Sequence, residues 1–98
     1  MTEDGRVFTG TNVENSAYPV SQCAEANAIA SAVSEGARRI PLVAVACVDA
    51  RDVAGSYPCG RCRQIMSEFD VGEVVVAAGE GEFVVHGLDD LLPHRFKL

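Results

Sequence analysis

Two stretches of the chain carry apolar residues at helical spacing. The first runs from Cys23 to Glu35, and its apolar stripe consists of Ala26, Ile29, Ala30 and Val33. The second runs from about Cys59 to Phe69, with a stripe of Cys62, Ile65, Met66 and Phe69. Gly36 follows the first stretch, where a glycine that ends a helix belongs. The pattern therefore predicts two amphipathic helices.

Three apolar runs predict β-strands. The run LVAVACV (42–48) shows no alternation, which is typical of a strand covered on both faces. EVVVAA (73–78) has the same character, and a glycine-containing turn separates it from EFVVH (82–86). Cys47 lies inside the first run, and we expect it to be a small buried hydrophobic residue.

The two ends of the chain complete the pattern. RVFTGTNVE (6–14) indicates an extended segment leading into a loop, and LDDLLPHRF (88–96) indicates a short helix before Pro93. The predicted order is β-α-β-α-β-β. Strands alternating with helices favour an α/β layered domain around a largely parallel sheet. We expect residues 1–98 to form a single domain, because no linker or repeat interrupts them.

Composition narrows the classes of partner. The net charge is −6, from 8 basic and 14 acidic residues, and no Lys/Arg cluster is present to bind nucleic acid. No apolar run reaches the roughly 18 residues of a membrane span. Hydrophobic residues make up 48% of the chain, which favours a homo-oligomer. The polar start MTEDGRVF indicates a cytoplasmic protein, where four reduced cysteines suggest a metal or catalysis before disulfides.

Three of the cysteines lie where the predicted helices begin. Cys23 opens the first helix, and Cys59 and Cys62 open the second. A helix N-terminus stabilises a thiolate, and three thiolates leave one position open on a zinc ion, which is the pattern of catalytic zinc. Glu25 lies in the same first turn as Cys23, where it would move a proton without binding the metal. The pattern C-x-E followed by P-C-x-x-C is the signature of zinc nucleobase deaminases.

Longer segments extend this similarity. TGTNVENSAYPVSQCAEANAI (9–29), YPCGRCRQIM (57–66) and LLPHRF (91–96) resemble the small, tetrameric, three-cysteine cytidine deaminases and their relatives that act on blasticidin-type nucleoside antibiotics. The resemblance implies a layered α-β-α domain around a mixed sheet. That family has a helix and an inner strand ahead of the segment matching RVFTG (6–10), so we expect this chain to lack the family's first helix and first strand.

The resemblance also implies a reaction and a metal centre. Zn²⁺ would be bound by Cys23, Cys59 and Cys62. Glu25 would carry a proton from the zinc-bound water to N3 of the pyrimidine and then to the leaving ammonia, while zinc-bound hydroxide attacks C4. The expected reaction converts cytidine or 2'-deoxycytidine to uridine or 2'-deoxyuridine, a step of pyrimidine salvage.

Five further residues match substrate-binding positions of the family. Asn12 and Glu14 would hydrogen-bond the ribose, and the backbone of Ala24 would contact the base. Phe96 would reach across from a neighbouring subunit to stack on the base, and Tyr18 would lie near the same junction. The expected partners are therefore a small nucleoside and further copies of the chain, in a tetramer or a dimer.

One departure from the family pattern lies beside the metal ligands. Family members often have an arginine after C-A-E, but this chain has Ala26. Three thiolates on Zn²⁺ carry about one net negative charge, and Arg61 is the candidate to offset it. Arg63 matches the family's C-R-Q, and we expect it to pack against the metal ligands or support them. C-A-E-A also occurs in the blasticidin-type relatives.

Three alternatives follow from the same residues. The chain would act on a modified cytosine nucleoside, or it would be an inactive remnant in which zinc only stabilises the fold. A thioredoxin-like redox protein is a more distant alternative, since it requires neither Cys23 nor Glu25. His86 and His94 lack the spacing of metal ligands, and we expect both to have ordinary roles.

Overall fold

A computed structural model describes all 98 residues. The helices and strands are α1 (Ala24–Ser34), β1 (Leu42–Val45), α2 (Gly60–Glu68), β2 (Glu73–Gly79), β3 (Glu82–Gly87) and α3 (Leu88–Leu91). Short 3-10 helices lie at Tyr18–Val20 and Val53–Ser56. None of these helices has the length and apolar character needed to cross a lipid bilayer.

The three strands form one mixed sheet in the order β1-β2-β3. β1 and β2 are parallel, with Val43 opposite Val74, because α2 carries the chain back between them. β2 and β3 are antiparallel, with Val75 opposite Val85, because a tight turn at Gly81 joins them directly. The predicted mixed α/β class is confirmed, and the parallel pairing is confined to one of the two ladders.

The core lies against one face of this sheet. Val74 and Val76 of β2 are fully buried and belong to the same cluster as Ile29 of α1 and Met66 of α2. The opposite face exposes apolar side chains of β3: Phe83 is 67% exposed and Val85 57%. These two side chains therefore remain uncovered on the outer face of the sheet.

Three predictions about the first apolar run were wrong. β1 ends at Val45, three residues before the predicted end, because the chain turns there and the Ala50 N–H donates to the Cys47 carbonyl. Cys47 is consequently exposed, not buried. The run is also covered on one face only, since Val43 is buried while Ala44 is exposed. Sequence alone did not reveal where the strand leaves the sheet.

Both long helices end in a backbone motif that returns the chain to the core. At the end of α1, Gly36 has φ +96° and the Ala37 N–H donates to the Ala32 carbonyl, which is a Schellman motif. At the end of α2, Asp70 takes the equivalent left-handed position with φ 56°. The buried stripe of α1 is rotated from the predicted one, since Ala30 is exposed and Ala32 takes its place in the core.

The segment before α1 is extended but forms no strand. A tight turn brings the Thr2 N–H to the Arg6 carbonyl at 2.9 Å, with Gly5 at φ +86°. The following residues 7–10 make no backbone hydrogen bonds, so the first strand of the predicted order is absent. An apolar cavity of about 480 Å³ lies between this segment, α1 and the outer edge of β1.

Candidate metal and active site

Three thiols meet where the two long helices begin. Cys23 is the N-cap of α1, Cys59 is the N-cap of α2, and Cys62 lies in the first turn of α2. The three sulfur atoms lie within 4.8 Å of one another, and Sγ of Cys23 is 3.9 Å from Sγ of Cys59. Tetrahedral zinc–sulfur bonds of about 2.3 Å place sulfur atoms about 3.8 Å apart. The cluster therefore fits a zinc site, as predicted.

The electrostatics of the cluster also favour a cation. Burial raises the pKa of Cys62 strongly, and the negative charge of Glu25 raises it further. Burial likewise raises the pKa of Cys23. The pKa of Cys59 is lowered, chiefly because the Cys62 N–H donates to its sulfur. Three thiolates cannot share this space without a positive charge between them, and Zn²⁺ supplies that charge.

Glu25 presents its carboxylate beside the thiols. It lies in the first turn of α1, is half-buried, and lines the 480 Å³ cavity together with Ala24. No side chain or backbone group of the protein hydrogen-bonds its carboxylate, and no cation pairs with it. The negative charge is nonetheless close enough to raise the pKa values of two thiols. The Glu25 carboxylate is thus without a partner within the protein, in a residue that lines the cavity.

The loop at residues 11–14 is held against the start of α1. Val13 and Gln22 exchange two backbone hydrogen bonds of 2.9 Å, which places the loop beside the residue before Cys23. The Asn12 amide donates to the Glu14 carboxylate at 3.1 Å. Both of these side chains are exposed, so their polar groups remain accessible.

Two residues that sequence reasoning missed fix this loop. The Asn27 amide in α1 donates to the Thr11 carbonyl at 2.7 Å. Gly10 packs so closely on α1 that a Cβ there would overlap the backbone of Ala24 and Ala28. The signal for Gly10 was its place just before N-V-E-N, and Asn27 was marked only by being polar in a largely apolar helix.

The two aromatic candidates lie away from the cavity in this chain. Tyr18 is 85% exposed in its short 3-10 helix. Phe96 is 68% exposed, and the Gln64 amide donates to its backbone carbonyl at 3.0 Å. Neither residue lines the 480 Å³ cavity.

The two arginines of α2 have different surroundings. The Arg61 guanidinium is exposed and donates to the Gln22 side-chain oxygen at 3.4 Å, linking the segments that carry Cys23 and Cys62. Arg63 is half-buried and donates to the Pro58 carbonyl at 2.8 Å and to the Leu91 carbonyl at 2.7 Å. Arg63 therefore supports the backbone in front of Cys59.

A further pair of side chains joins the loop before α2 to β3. The Tyr57 hydroxyl and Nε2 of His86 are 2.6 Å apart and share a hydrogen bond, and their rings pack with centroids 5.3 Å apart. Sequence reasoning gave neither residue a role, because no spacing rule relates a loop tyrosine to a histidine on a distant strand.

A protein-family model and individual known proteins that match this chain all point to cytidine deaminases. Residues 1–78 match the family described as the cytidine and deoxycytidylate deaminase zinc-binding region. A cytidine deaminase of Halalkalibacterium halodurans is 37% identical over 98% of this chain and 72% of its own length. One from Mycobacterium tuberculosis is 41% identical over 100% of this chain and 69% of its own length.

Solved structures agree with the sequence matches. The crystal structure of cytidine deaminase from Burkholderia pseudomallei superposes with a TM-score of 0.85 at 39% identity, covering 98% of this chain and 76% of that one. The structure of cytidine deaminase from Mycobacterium leprae gives a TM-score of 0.71 at 36% identity, covering 96% of this chain and 74% of that one. The similarity therefore extends over nearly all of the chain.

Proposed function

This chain belongs to the family of the cytidine and deoxycytidylate deaminase zinc-binding region, and we propose that it hydrolyses cytidine or 2'-deoxycytidine to uridine or 2'-deoxyuridine and ammonia. The observation that carries the proposal is the three-thiol cluster with the free carboxylate of Glu25 beside it, at the edge of an apolar cavity. A binding protein would not need an unpaired, half-buried carboxylate next to a metal site.

The metal would be held by Cys23, Cys59 and Cys62, which leave one position open to solvent or substrate. When bound there, Zn²⁺ lowers the pKa of water toward about 7 and so supplies a nucleophile at neutral pH. The Cys62 N–H at the start of α2 already lowers the pKa of Cys59, whereas the buried thiols of Cys23 and Cys62 would lose their protons on binding the metal.

Glu25 is the proposed proton carrier. Its carboxylate would accept a proton from the attacking water and deliver it to N3 of the pyrimidine. It would then accept the second proton of that water, from the hydroxyl now on C4, and deliver it to the amino group, which leaves as ammonia while the C4 carbonyl forms. Two features support this role. The carboxylate has no competing partner in the protein, and its backbone is fixed in the first turn of α1 beside Cys23.

The proposed nucleoside contacts come from the loop and from α1. Asn12 and Glu14 bind the ribose hydroxyls, and the backbone of Ala24 contacts the base. Glu14 also disfavours a phosphorylated sugar through charge repulsion. Tyr18 and Phe96 complete the site from a neighbouring copy, which their exposure permits. In this proposal residues 1–98 act as one domain of a homo-oligomer.

A second candidate substrate is a modified cytosine nucleoside of the blasticidin type. The observation that favours it is Ala26, which follows C-A-E where cytidine deaminases often have arginine. The chemistry and the roles of the cysteines and Glu25 are the same in both cases, so only the substrate distinguishes the two.

The test is an ultraviolet assay of cytidine deamination with the zinc-loaded chain. We expect turnover to uridine, and Glu25→Gln to reduce it by about 10²- to 10⁴-fold while zinc content stays unchanged. Glu82→Gln, at an exposed position far from the thiols in sequence, is the matched control. A folded, zinc-loaded chain without turnover contradicts the proposal, and turnover of blasticidin S by that same protein would then identify the second candidate.

A further inference from the structure

A single side-chain hydrogen bond ties the sheet to the segment that carries two of the three thiols. Tyr57 ends the 3-10 helix Val53–Ser56 as its C-cap, two residues before Cys59. Its hydroxyl lies 2.6 Å from Nε2 of His86, which belongs to β3. Both side chains are half-buried, and their rings are in tilted contact. The bond joins residues 29 positions apart in sequence.

The backbone between Tyr57 and Cys59 has little conformational freedom. Pro58 is the only residue between them, its ring fixes φ, and its side chain is fully buried. Its carbonyl accepts a hydrogen bond from Arg63 at 2.8 Å. The backbone entering Cys59 is therefore held by Arg63 on one side and by the Tyr57–His86 bond on the other.

The Cys59 side chain has little packing of its own to hold it. Cys62 is 0% exposed and is fixed by the core, whereas Cys59 is exposed. Its sulfur lies 3.9 Å from Sγ of Cys23, close to the separation of about 3.8 Å that tetrahedral zinc requires. The position of this thiol consequently depends on the backbone anchors that precede it.

We propose that Tyr57 and His86 are positioning residues whose hydrogen bond sets the Cys59 thiol for the zinc ion. Neither residue touches the metal, yet together they raise its affinity. Groups that orient metal ligands typically change metal affinity by about 10- to 100-fold. The inference rests on the zinc site of the proposed function and is independent of which nucleoside is the substrate.

The experiment is a double-mutant cycle on metal affinity. Zinc affinity is measured by competition with a chromophoric chelator for the wild-type chain, Tyr57→Phe, His86→Leu and the double variant. We expect each single variant to bind zinc about 10- to 100-fold more weakly. The double variant should bind zinc no more weakly than the single variant with the lower affinity, because both substitutions remove the same hydrogen bond. His86→Gln keeps a hydrogen-bonding group and should recover part of the affinity.

A second readout separates positioning from general stability. With Co²⁺ in place of zinc, the thiolate charge-transfer bands should shift in Tyr57→Phe and His86→Leu, because the Cys59 sulfur moves. The control is Val85→Ala, which alters the exposed outer face of the same strand and should leave affinity and spectrum unchanged. If one single variant fails to fold, the other single variant and His86→Gln still test the bond.

Failure of this inference can be distinguished from failure of the proposed function, because zinc affinity and the cobalt spectrum are measured without a nucleoside. Zinc affinities within about two-fold of wild type in both single variants overturn the inference, as do losses that add in the double variant. An unchanged cobalt spectrum also overturns it. A wild-type chain that binds no zinc overturns this inference and the proposed zinc site together. If the chain binds zinc without deaminating cytidine, the proposed function fails, and the mutant cycle on zinc affinity still decides this inference.

Discussion

At the scale of single residues, the three clustered thiols differ in how readily each loses its proton. The N–H of Cys62 lowers the pKa of Cys59, which is also exposed. Burial raises the pKa values of Cys23 and Cys62, and Cys62 is the most buried of the three. The zinc-free cluster should therefore hold one reactive thiol and two unreactive ones, although all three would bind the same metal.

Thiol alkylation measures this difference directly. In the zinc-free protein near neutral pH, we expect iodoacetamide to modify Cys59 fastest within the cluster and Cys62 slowest, as followed by mass spectrometry. The thiolate is the reactive form, so a lowered pKa and exposure both favour Cys59. Zinc should protect Cys59 and leave exposed Cys47 unaffected. Equal rates at Cys59 and Cys62 would contradict the assignment.

The second prediction at the residue scale concerns the charge of Arg61. Its guanidinium donates to Gln22, next to Cys23, and it lies between the two thiols of α2. The net charge of about −1 on zinc with three thiolates raises the pKa of bound water, and a nearby cation offsets this. We expect Arg61→Ala to shift the acidic limb of the kcat/KM profile to higher pH and Arg61→Lys to restore it. An unchanged profile in Arg61→Ala would exclude this role.

At the scale of elements, the first turn of α1 combines several tasks. It follows directly on Cys23, it places Glu25 at the lining of the cavity, and its backbone packs directly on Gly10. Asn27, one turn further along, holds the Thr11 carbonyl. The proposed ribose-binding loop is thus built onto the same helix as the proposed catalytic carboxylate, so the two move together.

Gly10→Ala tests this packing. The added methyl group meets helix backbone that cannot yield, so we expect the free energy of unfolding to fall by about 1–3 kcal/mol and KM for the nucleoside to rise. The matched control is Gly36→Ala. It meets no neighbouring atom, costs about 1–2 kcal/mol through its left-handed φ, and should leave KM unchanged. Denaturant titration and initial-rate kinetics provide the two readouts, and an unchanged KM in Gly10→Ala would argue against the loop's role.

At the scale of the whole molecule, the sheet has one face in the core and one face exposed. Phe83 and Val85 of β3 are 67% and 57% exposed on that outer face, and Phe96 is 68% exposed near the C-terminus. Apolar side chains clustered on a surface mark interaction sites in most proteins that have them. The pattern supports the expected homo-oligomer.

Association can be tested by analytical ultracentrifugation. We expect the wild-type chain to sediment as an oligomer and the variant Phe83→Lys/Val85→Lys to sediment as a smaller species, because the charges oppose burial of this face. Zinc affinity should be unchanged, since neither residue belongs to the thiol cluster. A wild-type chain that is monomeric at micromolar concentration would contradict the prediction.

The sequence by itself determined the features that depend on near neighbours. The positions of the helices follow from apolar spacing and from Gly36, and the zinc cluster follows from Cys23, Cys59 and Cys62 at the starts of those helices. Glu25 was identified because it is two residues from Cys23. In each case the physical signal lies within one helical turn or one cap, so it can be read along the chain.

Only the tertiary structure decided the features that depend on distant partners. Cys47 is exposed because β1 leaves the sheet at Val45, and residues 7–10 form no strand because they make no backbone hydrogen bonds to another segment. Gly10 is constrained by the backbone of α1, and Tyr57 meets His86 across 29 residues. Such contacts arise when separate elements pack, and no local spacing or propensity along the chain encodes which elements will meet.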